Sequence, residues 1–147
     1  MNGKAIRVLI VDDEKLARKR LTRFLRAQTD VEIVGICANG PDAIAAIDRT
    51  TPDVVFLDVQ MPNVDGYQAT ARIRAAQTQP RPRIVAMTAA AMAEDRDKAL
   101  AAGMDDYMAK PVRLADLQAH LQRAIPGQPS VQSPAMAAPT LAPPKPL

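Results

Sequence analysis

Asp12 and Asp13, Asp58, Thr88 and Lys110 each stand at or just beyond the end of a short apolar run. Gathered at one place, they make three carboxylates, one hydroxyl and one ammonium. Three carboxylates within a few ångströms repel one another, and a pKa rises unless a cation intervenes. Lys110 offers a single positive charge, so a divalent metal is needed to balance the rest. Hard oxygen donors, with no His or Cys beside them, select Mg2+ over zinc. Mg2+ is typically held by one or two carboxylates together with a phosphate oxygen. Such a pocket suits a phosphoryl group arriving beside the metal, because phosphoryl transfer depends mainly on positioning and charge neutralisation.

The chemistry requires a scaffold that brings these positions to one edge. Ile6 to Val11 is almost continuously apolar and β-branched, as expected for a strand covered on both faces. Lys15 to Gln28 reads as a helix with Leu16, Ala17, Leu21, Phe24 and Leu25 on its inner stripe. Further strands are expected at Val31 to Ala38, Asp53 to Asp58, Arg83 to Met87 and Asp106 to Ala109. Helices are expected from Pro41, over Tyr67 to Ala75, over Met92 to Ala102 with a stop at Gly103, and from Leu114 to Ile125. Five strand–helix units in alternation specify an α/β fold with a parallel sheet flanked by helices on both faces. In such sheets ligands bind at the carboxyl ends of the strands, where the five reactive residues stand.

Residues 126–147 differ in kind. They hold seven of the thirteen prolines, and their only charged side chain is Lys145. Such a segment buries too little apolar surface to offset its ordering entropy, so it reads as a tail or linker after a domain spanning 1–125. The early Met1 favours an independent or leading domain. The aliphatic composition, with 3% aromatic residues and no Trp, implies a Val/Ile/Leu/Met/Ala core. A net charge of +3 is too small a bias to argue for nucleic acid, and Arg18, Lys19, Arg20, Arg23 and Arg26 read as a solvated helix face. One cysteine (Cys37, read as a small buried hydrophobe) and one histidine (His120, read as structural and without partners) cannot build a zinc site. No apolar run approaches the roughly 18 residues needed to span a membrane, and no signal peptide is visible, so a cytoplasmic location is expected. Gly66 reads as a turn residue with positive φ.

The strings Val8-Leu9-Ile10-Val11-Asp12-Asp13-Glu14 and Asp53-Val54-Val55-Phe56-Leu57-Asp58-Val59-Gln60-Met61-Pro62, followed by Asp65-Gly66, resemble the CheY-like receiver domains of bacterial two-component response regulators. Ala86-Met87-Thr88-Ala89, Ala102-Gly103-Met104-Asp105-Asp106-Tyr107 and Lys110-Pro111 complete the set in family order, and the resemblance covers residues 5–125. It implies a flavodoxin-like sheet of order 2-1-3-4-5. It implies that Asp58 is the phosphoacceptor, served by a sensor histidine kinase or a histidine phosphotransfer protein. Asp13 and Asp58 would bind Mg2+ through carboxylates, Gln60 through its backbone carbonyl, and Asp12 partly through water. Lys110 would pair with phosphoryl oxygens, ahead of a cis peptide to Pro111. Thr88 would swing to the phosphate and Tyr107 would turn inward, altering the surface of the fourth helix, fifth strand and fifth helix. That face would control a downstream target or an attached output domain, and a dimer would form through it. Gln60 and Ala90 hold positions that vary among members and tune the lifetime of the phosphorylated state.

Such a chain is a phosphoacceptor that assists its own phosphotransfer and dephosphorylation, rather than an enzyme. Three rivals fit less well. A phosphatase of the haloacid dehalogenase class would carry a second acid where Gln60 stands. A flavin-binding domain would need a Ser/Thr/Gly-rich loop where Asp12-Asp13-Glu14 stands. A receiver-like module that only binds partners would not need the full set of reactive residues.

Overall fold

The computed structural model describes residues 5–76, 81–89 and 92–124. Ala90, Ile125 and the proline-rich segment 126–147 lie outside the described residues. The elements alternate as β1 (Ile6–Val11), α1 (Lys15–Arg26), β2 (Val31–Cys37), α2 (Gly40–Thr50), β3 (Val54–Asp58), α3 (Gly66–Ala75), β4 (Arg83–Thr88), α4 (Ala93–Ala102), β5 (Asp106–Ala109) and α5 (Leu114–Arg123). All pairings are parallel and the sheet order is β2-β1-β3-β4-β5. This is the expected order.

Alternation along the central strands divides the core in two. Leu9, Val11, Val55, Leu57, Ile84 and Ala86 face α2, α3 and α4, whereas Ile10, Phe56, Val85 and Met87 face α1 and α5. Both faces are apolar, which is why the strands lack a polar side in sequence. Cys37 is buried as expected. Leu16 departs from expectation: at 72% exposure it lies outside the core, and Leu21 and Leu25 do the burying. Met87, Met104 and Met108 are core residues, while Met92 is exposed.

The helix ends follow local chemistry. Asn39 caps α2 by accepting from the Asp42 N–H at 2.8 Å, so the helix opens at Gly40 rather than Pro41. Asp65 and Gln68 form a reciprocal capping box on α3, starting that helix at Gly66. Gly66 therefore does not have positive φ. Its constraint is proximity: a Cβ there would sit 2.6 Å from the Asp58 carbonyl oxygen. Gly103, at φ 104°, does end α4 in the left-handed region.

His120 has partners the sequence did not disclose. It is buried on α5, with Nδ1 3.3 Å from an Asp106 oxygen at the start of β5. The same oxygen receives Arg83 at 3.1 Å and Arg123 at 2.6 Å, and the Tyr107 N–H donates to the other at 2.9 Å. Burial alone would raise the Asp106 pKa. The hydrogen bond and charge of His120, with Tyr107 N–H and Arg123, outweigh it and hold the carboxyl below its ordinary range. Asp106→Ala would remove the buried carboxylate shared by buried His120 and half-buried Arg83 and Arg123. It is expected to destabilise the fold by about 3–5 kcal/mol, measured by urea denaturation; a loss under about 1 kcal/mol would show that the cluster is not needed.

Candidate functional site

The site is built by strand ends. β1 delivers Asp12, whose N–H donates to the Cys37 carbonyl at 3.1 Å and whose Oδ1 accepts from the Glu14 N–H at 2.9 Å. That local bond turns the chain out of the sheet and into α1. Arg18 secures the turn from one helical turn further on, donating to the Asp12 carbonyl at 2.9 Å. β3 delivers Asp58 beside Met87 of β4, and the following Val59 N–H donates to the Met87 carbonyl at 3.1 Å. The Gln60 N–H donates to Asp58 Oδ1 at 3.1 Å, fixing the carboxylate's direction. Thr88 ends β4 in a buried position, and its carbonyl accepts from the Lys110 N–H at 2.8 Å. That bond holds the loop carrying Lys110, whose peptide to Pro111 is cis.

These elements bring the sequence-predicted acids together. One oxygen from each of Asp12, Asp13 and Asp58 lies within 4.8 Å of the others. Lys110 Nζ stands 2.9 Å from Asp12 Oδ2 and 3.4 Å from Asp58 Oδ1. Asp12 and Asp58 are buried, whereas Asp13 is exposed at the rim. Thr88 belongs to the same sheet edge. Tyr107 is half-buried in β5 opposite Ala86, packed against the core under α2, α3 and α4.

The electrostatics are those of an overcharged acidic pocket. Burial, reinforced by Asp12, pushes Asp58 up to about 7, against the pull of the Gln60 N–H and Lys110. Burial opposes the charge on Lys110, but the Asp12 and Asp58 carboxylates prevail and raise its pKa. One ammonium among three carboxylates leaves a net negative pocket of hard oxygen donors. Among the described residues, the close partner of buried Asp12 Oδ2 is Lys110, at 2.9 Å. This donor set fits Mg2+, with Asp12, Asp13 and Asp58 as the residues able to hold it.

Three contributors were missed in the sequence reading. Arg18 carried a usable signal, since it stands one turn into the helix that follows Asp12. Gly66 carried a signal that was assigned to the wrong cause. Leu16 carried none: it rims an apolar cavity of about 420 Å³ that reaches Asp12 and Lys110, with Ala17, Met87 and Val112 among its lining.

Residues 8–122 match the response regulator receiver domain family. The transcriptional regulatory protein BtsR of Escherichia coli K12 is 43% identical over 118 residues, covering 80% of this chain and 47% of BtsR. The chain thus spans about half the length of that relative. The receiver domain of the sensor histidine kinase PA1611 from Pseudomonas aeruginosa PAO1, solved with a magnesium ion coordinated in its active-site cleft, is 36% identical with a TM-score of 0.72, covering 81% of this chain and 96% of that one. The complex of the histidine phosphotransfer protein Ypd1 with the Ssk1 receiver domain from Saccharomyces cerevisiae also matches, at 29% identity and a TM-score of 0.73, over 84% of this chain and 90% of the matched one.

Proposed function

The chain belongs to the response regulator receiver domain family, and from that premise we propose that Asp58 accepts a phosphoryl group from a phosphohistidine on a sensor histidine kinase or phosphotransfer protein. The observation that carries this reading is the meeting of Lys110 with both Asp12 and Asp58 while an Asp13 oxygen lies within 4.8 Å. A carboxylate oxygen of Asp58 attacks phosphorus, the phosphorus–nitrogen bond breaks, and its electron pair returns to the donor imidazole. Gln60 N–H orients the nucleophile. Lys110 neutralises charge on the transferred group, and the Thr88 hydroxyl hydrogen-bonds it afterwards. Asp12, Asp13 and Asp58, with the Gln60 carbonyl, hold Mg2+, which supplies the positive charge that keeps Asp58 ionised and offsets charge on the phosphoryl oxygens.

The rearrangement of Thr88 and Tyr107 changes the α4-β5-α5 surface, which serves a downstream target, an attached output domain or a dimer. The chain works as a phosphoacceptor that assists its own transfer and dephosphorylation, in the cytoplasm. Among the described residues no helix is long and apolar enough to cross a membrane. The receiver occupies residues 1–125, with 126–147 as a linker or tail.

Incubation with acetyl phosphate and Mg2+ is expected to phosphorylate the chain, and chelating the metal with EDTA to abolish the reaction. Undiminished phosphorylation in EDTA would contradict the metal's role.

A further inference from the structure

α1 is unlike the other helices in charge. Six of its twelve residues are Lys or Arg and none is acidic, so this one helix more than supplies the chain's net charge of +3. Arg20 turns toward α5, donating to the Val112 carbonyl at 3.2 Å and lying over the Phe24 ring. The others, Lys15, Arg18, Lys19, Arg23 and Arg26, recur at three- and four-residue spacing and form one stripe roughly 16 Å long. Arg18 is half-buried and the other four are exposed. Among the described residues none of the five pairs with an acidic side chain. Like charges at that spacing destabilise a helix, so the stripe is a standing cost unless something anionic covers it.

The stripe also borders a concave surface. Cavities of about 560 and 460 Å³ share Arg18 and Ile36, forming one trough beside β2, the edge strand of the sheet. Ile36 is 46% exposed within it, an apolar floor under a basic rim that Arg49 of α2 extends on the far side. Among the described residues Asp42 is its one acidic lining residue.

The occupant follows from this chemistry. The chain's own segment 126–147 has no acidic side chain and cannot satisfy the stripe. A single-stranded nucleic acid would call for aromatic stacking, and among the described residues none that lines the trough is aromatic. A duplex backbone makes no use of an apolar floor. We propose that the trough docks an acidic polypeptide segment, its carboxylates on the Lys15–Arg26 stripe and an apolar side chain on Ile36. Guanidinium forks suit carboxylates, and an interface of this kind combines arginine with an apolar centre. The proposal is independent of the phosphoryl chemistry, because the trough and the cavity next to Asp12 share no lining residue, and Arg18, which holds the Asp12 turn, is left in place in the variants below.

The test titrates the full isotope-labelled chain with a synthetic glutamate peptide carrying leucine at every fourth position. A leucine-free glutamate peptide and a random-sequence DNA duplex are run alongside. The leucine-bearing peptide is expected to shift the backbone resonances of Lys15, Lys19, Arg23 and Ile36 and to bind more tightly than either control. The double variant Lys19→Glu/Arg23→Glu should lose at least tenfold in affinity while its phosphorylation by acetyl phosphate stays unchanged. Ile36→Ser should lose severalfold without changing the salt dependence. Equal affinity of the double variant, an unaffected Ile36→Ser, or tighter binding to the duplex would overturn the proposal.

Discussion

Asp58→Asn is expected to abolish phosphorylation by acetyl phosphate with Mg2+, by at least about a thousandfold in initial rate, as befits removal of a nucleophile. The substitution is nearly isosteric, and the Asn side-chain oxygen can still accept from the Gln60 N–H that Asp58 Oδ1 now receives at 3.1 Å. The fold should therefore survive, and circular dichroism checks that it does. The neighbouring carboxylates are poor substitutes. Asp12 is fully buried and already committed to the Glu14 N–H and Lys110. Asp13 is exposed at the rim, with no described contact to Lys110. Phosphate incorporation equal to that of the parent chain would move the acceptor to one of those two and end the assignment to Asp58.

The site was legible because strand ends are legible. Apolar β-branched runs at Ile6–Val11 and Val54–Asp58 end abruptly in acids, and a parallel sheet allows only one edge for such ends to share. The strand order came from the family resemblance; alternation alone permits other windings. Asp12, Asp13, Asp58 and Lys110 were thus placed together before any distance was known. Roles that depend on movement, for Thr88 and Tyr107, rest on the resemblance, since neither a hydroxyl at a strand end nor a half-buried tyrosine carries a sign of motion.

What escaped the sequence reading depends on three-dimensional neighbours. Leu16 fits the α1 stripe by spacing, yet it sits in the first turn of the helix and is 72% exposed, at the rim of the cavity next to Asp12 rather than in the core. Gly66 looked like a positive-φ turn because Asp-Gly commonly forms one. Its actual constraint is proximity to the Asp58 carbonyl, set by the Gly66 N–H donating to the Val59 carbonyl at 3.1 Å. His120 seemed partnerless because Asp106, the acid it meets, stands on β5 in the preceding strand, although Arg123, three residues on along α5, joins the same carboxylate. Pairing between a helix and the start of a strand leaves no periodic trace.

The same pocket makes stability depend on pH and metal in a way that isolates Asp58. Without metal, burial and Asp12 raise its pKa from 3.8 to about 7. Between those values the folded chain holds a proton that the unfolded chain has released, so Asp58 makes stability fall as pH rises through that window. Below about pH 4 both states are protonated and the carboxyl carries no such penalty; above about pH 7 the penalty is complete. Moving the carboxyl from 3.8 to about 7 corresponds to roughly 4 kcal/mol. Asp58→Asn removes the titrating group and leaves Lys110 its closer partner, Asp12 at 2.9 Å. In EDTA the variant and the parent should therefore be similarly stable near pH 4, and the variant should pull ahead by several kcal/mol by pH 7.5, read from urea denaturation. Saturating Mg2+ should shrink that gap, because the cation stabilises the ionised parent more than the amide. A gap that stays flat from pH 4 to 7.5, or that widens when Mg2+ is added, would mean the three carboxylates are not crowded as the geometry requires.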